Sequence, residues 1–174
     1  MSRVTALSDL RAAEVDGGTG GRDFDAAFPD LYRHAYRVAY RLVGPQEAYD
    51  LAQETLARAY GHWAKVGALD EPAAWVSRVT TNLAFDFWRR YRVRRYADRA
   101  TSSIPPVDAE RLDLYRALAD LPHRQRQVIT MRFLADQSEA ATATALGCSL
   151  GTVKSHAARG LTALRAHLHV PSED

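Results

Sequence analysis

The chain has 174 residues, a formal net charge of +2 and an apolar share of 47%, which bounds it to one domain or two small ones of ordinary globular composition. Cys148 is the only cysteine, so an intrachain disulfide and a cysteine-built zinc site are excluded, and the six histidines show no metal-ligand spacing. No apolar run is long enough to span a bilayer, and the N-terminus lacks a signal-peptide core, so the expected place of action is the cytoplasm, without membrane insertion.

So small a net charge argues only weakly for nucleic acid. The kind of cation says more. All are arginine except Lys65 and Lys154, and arginine suits bidentate contacts to phosphate and guanine.

Met1 to Arg22 is polar and ends in Gly17-Gly18-Thr19-Gly20-Gly21, the pattern of a flexible tail. Asp25 to Leu42 is the first strong helix. Phe28, Leu31, Tyr32, Ala35, Val38, Ala39 and Leu42 make its buried stripe, and Arg33, Arg37 and Arg41 form a cationic row on another face. Gly44-Pro45 stops it. A second helix over Gln46 to Trp63 turns Ala48, Leu51, Ala52, Thr55, Leu56 and Ala59 inward and leaves Asp50, Gln53, Glu54 and Arg58 largely outside.

Lys65 to Glu71 reads as a loop, and Pro72 suits the first turn of a third helix that runs to about Tyr96. Trp75, Val76, Val79, Leu83, Phe87 and Trp88 form its apolar side. Arg89, Arg90, Arg92, Arg94 and Arg95 crowd its end with Tyr91 and Tyr96 among them. Interleaved rings and cations suit single-stranded nucleic acid, where bases stack and phosphates are neutralised. The bland alternative stays open: the tryptophans are core, and the arginines cap a helix C-terminus.

Ala97 to Val107, with Thr101-Ser102-Ser103-Ile104-Pro105-Pro106, reads as a linker. Asp108 caps a helix to about Asp120. Pro122 opens another to about Leu134, with Val128, Ile129, Met131 and Phe133 partly buried. Ser138 then caps a short helix over Ala140 to Ala145, Gly147 breaks it, and Ser149 caps a longer one. Leu150, Val153, Ala157, Leu161, Leu164 and Leu168 make the apolar stripe of the longer helix, and Thr152, Lys154, Ser155, Arg159 and Arg165 fall mainly off it. A short helix, a glycine turn and a longer helix with a polar, cationic face make the pattern of a helix-turn-helix, whose second helix would enter the major groove; an ordinary helical hairpin with a solvated face is the bland alternative. No strand pattern and no repeat occurs. The expected fold class is all-α: a tail over 1–22, a helical bundle over 23–96, a linker over 97–107, a helix-turn-helix domain over 108–170 and a tail over 171–174.

Four segments resemble one family in its order. Asp50-Leu51-Ala52-Gln53-Glu54-Thr55 is similar to the D-L-x-Q-E-T/A segment of the bacterial ECF-type (group 4) sigma factors. Ala74-Trp75-Val76 through Asn82-Leu83-Ala84-Phe85-Asp86-Phe87-Trp88-Arg89-Arg90 resembles their A-W-L … N-L-A-x-D-x-x-R-R segment. Leu121-Pro122-His123-Arg124-Gln125-Arg126-Gln127-Val128 resembles L-P-x-R-Q-R-x-V, and Gly147-Cys148-Ser149-Leu150-Gly151-Thr152-Val153-Lys154-Ser155 resembles G-x-S-x-G-T-V-K-S. The likeness covers about residues 25 to 168.

The resemblance implies an alternative sigma factor that binds core RNA polymerase and directs promoter-specific initiation. It implies a sigma-2-like bundle and a sigma-4-like helix-turn-helix domain. Asp50, Gln53, Glu54 and Arg58 would bind the clamp helices of the polymerase. Trp75, Asn82, Asp86, Trp88, Arg89 and Arg90 would lie near the −10 element and its opened strand. Ser149, Thr152, Lys154, Ser155, His156 and Arg159 would meet the −35 element. The implied partners are core polymerase through its clamp helices and flap, promoter DNA, and for many members an anti-sigma factor. No cofactor, metal or catalytic group is called for, and the protein would sit on the nucleoid when bound to polymerase.

Three positions depart from the family pattern: Tyr49 where an acid is common, Thr142 where an aliphatic residue is usual, and His156 where arginine is common. Two other readings stay open on the residues alone. One is a DNA-binding regulator that works without polymerase. The other is a helical adaptor that binds a partner protein.

Overall fold

The computed structural model describes residues 23–97 and 109–168, with side chains for 23–91 and 111–167. The tail over 1–22, the linker with Asp108, and His169 and Pro171 lie outside the described residues.

Two long antiparallel helices start the fold, α1 (Phe24–Val43) and α2 (Pro45–Gly61). Asp23 caps α1 by accepting from the Asp25 amide at 3.1 Å. Gly44, at φ 92°, turns the chain, and Pro45 opens α2 where its missing N–H costs nothing. The second helix ends earlier than its periodicity predicts. His62 interrupts it, and a single turn, α3 (Trp63–Val66), comes next, inside the stretch read as a loop.

Then α4 (Pro72–Ala97) packs across α1 and α2. Leu31, Ala35, Ala52, Leu56, Ala59 and Val76 form one core cluster. Val38, Leu42, Ala48, Ala84, Trp88, Tyr91 and Tyr115 form another. The small alanines let the helices approach closely, while Leu56 and Trp88 fill the volume.

The C-terminal part comprises α5 (Ala109–Ala119), α6 (His123–Ile129), α7 (Glu139–Leu146) and α8 (Leu150–Leu168). A π turn, Thr130–Leu134, extends α6. There the Ala135 amide donates to Thr130 O at 2.9 Å, an i+5 bond in place of i+4. The extra residue changes the facing of the side chains in this turn, so Phe133, expected to be partly buried, stands 47% exposed. Phe28 and Leu150 are likewise exposed although each falls on an apolar stripe. Leu150 opens α8 and Phe28 lies in the second turn of α1, near helix starts where less chain is available to cover them.

The two parts share packing. Tyr115 of α5 stacks on Trp88 of α4 at 5.3 Å between ring centroids. Ala74 lies buried with Val128, Met131 and Val153. Arg41 reaches Asp136 at 2.6 Å and Leu134 O at 2.8 Å, and Arg78 donates to Ala145 O at 2.9 Å. Among the described residues there is no strand, and no helix is long and apolar enough to cross a membrane.

Candidate nucleic-acid interface

One exposed face of α2 is mainly polar, with only the small Ala57 among its charged and amide side chains. Asp50, Gln53, Glu54 and Arg58 are exposed, while Ala52, Thr55 and Leu56 face inward. Thr55 has no place on that outer face because its hydroxyl donates to Leu51 O at 2.8 Å and lies 3.2 Å from Thr80 Oγ1. Arg58 Nε donates to Glu54 Oε1 at 2.9 Å, one turn apart. Such a half-exposed pair is worth about 0.3–0.5 kcal/mol, so it orients the row more than it stabilises the helix.

On α4 the residues divide. Asn82, Arg89 and Arg90 are exposed, and half-buried Asp86 pairs with Arg89 Nη2 at 3.0 Å. Trp75 is half-buried, and its ring lies 6.3 Å from that of His62. Trp88 is a correction. It is 2% exposed, and its Nε1 donates to Leu42 O at 3.0 Å, so it has no free face for a base to stack on. Arg92, Arg94, Arg95 and Tyr96 have side chains outside the described residues.

Asn82, Asp86 and Arg89 open onto a polar cleft of 320 Å³ whose far wall is His123, Arg126 and Gln127. Arg126 is anchored there by Ala119 O at 3.2 Å and by the Phe85 ring, 5.0 Å below its guanidinium. The two walls come from segments about 40 residues apart in sequence. Periodicity of either helix alone carries no sign of their meeting.

The helix-turn-helix obeys its sequence signals closely. Ser138 Oγ accepts from the Ala141 amide at 3.0 Å. Gly147 ends α7 at φ 62°, a left-handed conformation in which a β-carbon costs roughly 1 kcal/mol. Ser149 Oγ accepts from the Thr152 amide at 3.1 Å and meets Thr152 Oγ1 at 2.9 Å, so both hydroxyls serve the start of α8. Lys154 and Arg159 are exposed, with Lys154 Nζ 3.8 Å from Glu139. Ser155 is half-buried. His156 is half-buried too, and its Nδ1 is enclosed without a hydrogen-bond partner, so that nitrogen is withdrawn from any DNA contact in this arrangement.

Gly160 explains how α8 seats. A β-carbon there would lie 2.7 Å from Ile129 Cγ1, so only glycine lets α8 cross α6 at this distance.

Comparison with known proteins agrees with this architecture. Residues 28–95 match the family described as Sigma-70 region 2, and residues 111–164 match Sigma-70, region 4. The chain is 38% identical over 141 residues to the RNA polymerase sigma-E factor of Streptomyces coelicolor, covering 76% of this chain and 78% of that one. It is 35% identical over 144 residues to the ECF RNA polymerase sigma factor SigL of Mycobacterium tuberculosis, covering 76% and 81%. Two solved structures share the fold. They are the sigma factor RpoE with the anti-sigma factor NepR from Bartonella quintana (TM-score 0.57, 22% identity, 87% of this chain and 99% of that one) and CnrH with the cytosolic domain of CnrY (0.57, 23%, 86% and 89%).

A region 2 followed by a region 4 defines a promoter-specificity subunit of the sigma-70 class. The chain belongs to the ECF RNA polymerase sigma factors, proteins that bind core polymerase and direct transcription from particular promoters. This favours promoter-specific initiation over a DNA-binding regulator that works without polymerase and over an adaptor that has lost promoter activity.

Proposed function

We propose a division of labour over the surface of this sigma factor. The outer row of α2, with Asp50, Gln53, Glu54 and Arg58, takes the clamp helices of the polymerase. The exposed part of α4, with Trp75, Asn82, Asp86, Arg89 and Arg90, meets the −10 element and its opened strand. The α8 surface, with Ser149, Thr152, Lys154, Ser155 and Arg159, meets the −35 element, and the polymerase flap holds that part in place. Residues 23–96 and 108–170 act as two units joined by 97–107. The chain carries no chemistry of its own, since the polymerase makes the bonds, and it works in the cytoplasm on the nucleoid.

The observation that carries this reading is the segregation of exposed charge by helix. The outer row of α2 holds two acids and one arginine, whereas α4 exposes Arg90 and Arg89, the latter beside Asp86, and α8 exposes Arg159 and Lys154, the latter 3.8 Å from Glu139. Acids repel phosphate, so α2 suits a protein. Cations attract it, so α4 and α8 suit DNA. Two tethered readers of one promoter also multiply their affinities. An anti-sigma factor is a fitting further partner, because the similarly folded RpoE was solved with the anti-sigma factor NepR.

Run-off transcription with core polymerase tests the assignment. Arg159→Ala should lower promoter-specific transcripts while core binding stays intact. Asp50→Ala with Glu54→Ala should lose core binding and keep the fold. Full promoter activity in the first variant, or wild-type core binding in the second, would sink the corresponding role.

A further inference from the structure

The cleft between α4 and α6 has a volume of 320 Å³, about ten times the share of one water in the liquid and within the range of small-molecule sites. Its near wall is Asn82, Asp86 and Arg89, which follow at steps of four and three residues and so lie on one side of α4. Its far wall is His123, Arg126 and Gln127 of α6. The two walls thus belong to the two separate parts of the chain.

Two guanidinium groups line this space, and one carboxylate answers them. Asp86 Oδ1 meets Arg89 Nη2 at 3.0 Å, but the side chains are 46% and 73% exposed, so water screens the pair and a stronger anion can share Arg89. Arg126 is fixed in place. One of its nitrogens donates to Ala119 O at 3.2 Å, and its guanidinium lies 5.0 Å from the centre of the Phe85 ring, which belongs to α4. A guanidinium has five N–H donors, so most of this fork is left for a ligand, already ordered. Neither Asn82 nor His123 makes a side-chain hydrogen bond among the described residues. Gln127 Oε1 accepts from Arg124 at 3.4 Å, which leaves its amide nitrogen as a donor.

We propose that this cleft binds a small organic phosphate that also carries hydroxyl groups, a nucleotide or a sugar phosphate, and that the ligand holds the two parts together. Two arginines from opposite walls suit a phosphate, which takes their forked donors in pairs. Asp86 would repel a second anion but accepts from a hydroxyl, and the amides of Asn82 and Gln127 serve the same polar body. A bare inorganic ion would meet the arginines and leave the other groups with water. A ligand that needs both walls favours the packed arrangement by mass action. The site itself does not depend on the −10 role of α4. Its consequence does rest on that reading: the ligand would compete with the opened strand for Asn82, Asp86 and Arg89.

Isothermal titration calorimetry of the full chain with AMP, ribose 5-phosphate, adenosine and inorganic phosphate tests the site. At least one of the two organic phosphates should bind saturably, at least about tenfold more tightly than adenosine or inorganic phosphate. AMP well ahead of ribose 5-phosphate assigns a nucleotide, and equal affinities assign a sugar phosphate. Arg126→Gln removes one guanidinium, and Gln127→Glu sets a carboxylate against the phosphate; each should weaken binding by at least about tenfold. If Arg126→Gln does not fold, Gln127→Glu decides alone, since its carboxylate can still accept from Arg124. Saturating ligand should also slow proteolysis between residues 97 and 109 several-fold. No saturable binding of either organic phosphate, equal binding of inorganic phosphate, or full affinity in Gln127→Glu overturns the site. Unchanged proteolysis at saturation overturns the bridging. Failure of the −10 reading looks different: Asn82→Ala would keep full promoter-specific transcription while the affinities of the parent, Arg126→Gln and Gln127→Glu stand as expected.

Discussion

His34 on α1 and Ser77 on α4 are joined by a hydrogen bond of 2.6 Å between Nε2 and Oγ, and Gln137 Nε2 from the C-terminal part lies 3.3 Å from the same ring nitrogen. The imidazole therefore sits where three segments meet. Burial holds its pKa below the ordinary 6.5, and Arg37 and Arg41 act in the same direction against a smaller opposite pull from Asp136. Unprotonated, Nε2 accepts from the Gln137 amide; protonated, it becomes a donor that Ser77 Oγ, whose own proton goes to Ala73 O, can accept, while the Gln137 contact becomes a donor facing a donor.

The unfolded chain then takes up this proton before the folded one does. The stability tied to neutral His34 is fully present above about pH 6.5, declines as pH falls from there to the lowered folded-state pKa, and levels off beneath it. Thermal melts of the parent and of His34→Gln between about pH 5 and pH 7.5 should show a gap in melting temperature that changes across that window and is constant above it. A gap that is flat throughout would show that the ring does not titrate with folding.

Thr142 is fully buried on α7, and its hydroxyl has no hydrogen-bond partner. A buried hydroxyl left unmet costs about 1–3 kcal/mol, and valine has nearly the same shape. Thr142→Val should therefore stabilise the protein by about 1 kcal/mol, or roughly 2–4 °C in melting temperature. Differential scanning calorimetry checks the sign, and a lower melting temperature would mean that the hydroxyl is satisfied in solution.

Gly160→Ala sets helix propensity against packing. Alanine gains about 1 kcal/mol in a helix interior, but its β-carbon would lie 2.7 Å from Ile129 Cγ1. Overpacking of this kind costs about 1–3 kcal/mol, so we expect a net loss of up to about 2 kcal/mol in urea unfolding. Combined with Ile129→Ala, the penalty of Gly160→Ala should shrink or change sign, which a double-mutant cycle measures.

Arg41 and Arg78 hold the C-terminal part against α1 and α4. The Arg41–Asp136 pair is about half exposed on the arginine side, so alone it contributes no more than about 1 kcal/mol. Arg78 donates to a carbonyl at the end of α7. Replacing both by alanine should enlarge the radius of gyration seen by small-angle X-ray scattering and speed proteolysis between residues 97 and 109. Unchanged scattering would assign the cohesion of the two parts to the remaining contacts, among them Tyr115 on Trp88, Ala74 with Val128 and Val153, Gln137 with His34 and Arg126 over Phe85.

How much the residues alone reveal depends on the range of the interaction. Ser138, Gly147 and Ser149 are legible because a cap acts over three or four residues, and each does what its type implies. The polar row of α2 is legible because 3.6-residue periodicity separates Asp50, Gln53 and Glu54 from Ala52, Thr55 and Leu56. Trp88 is not. An indole beside arginines fits a stacking platform and a core equally well, and the group that decides, Leu42 O, is 46 residues away. Phe133 misleads because a π turn adds a residue that no hydrophobic pattern announces. The cleft between Asn82 and His123, with Arg126 in its wall, escapes the sequence for the same reason of distance, although the Leu121–Val128 segment does carry the resemblance.

The stacking of Tyr115 on Trp88 has an optical consequence. Of the three tryptophans, Trp88 alone is among the fully buried residues and touches a ring from the C-terminal part. With Trp63 and Trp75 replaced by phenylalanine, its emission becomes a gauge of whether the two parts are together. A blue-shifted band marks the packed arrangement, and water reaching the indole as Tyr115 departs shifts it to the red. Promoter DNA, or a regulator without tryptophan, can then be added to the protein, and a red shift reports, without a label, whether it parts the two halves.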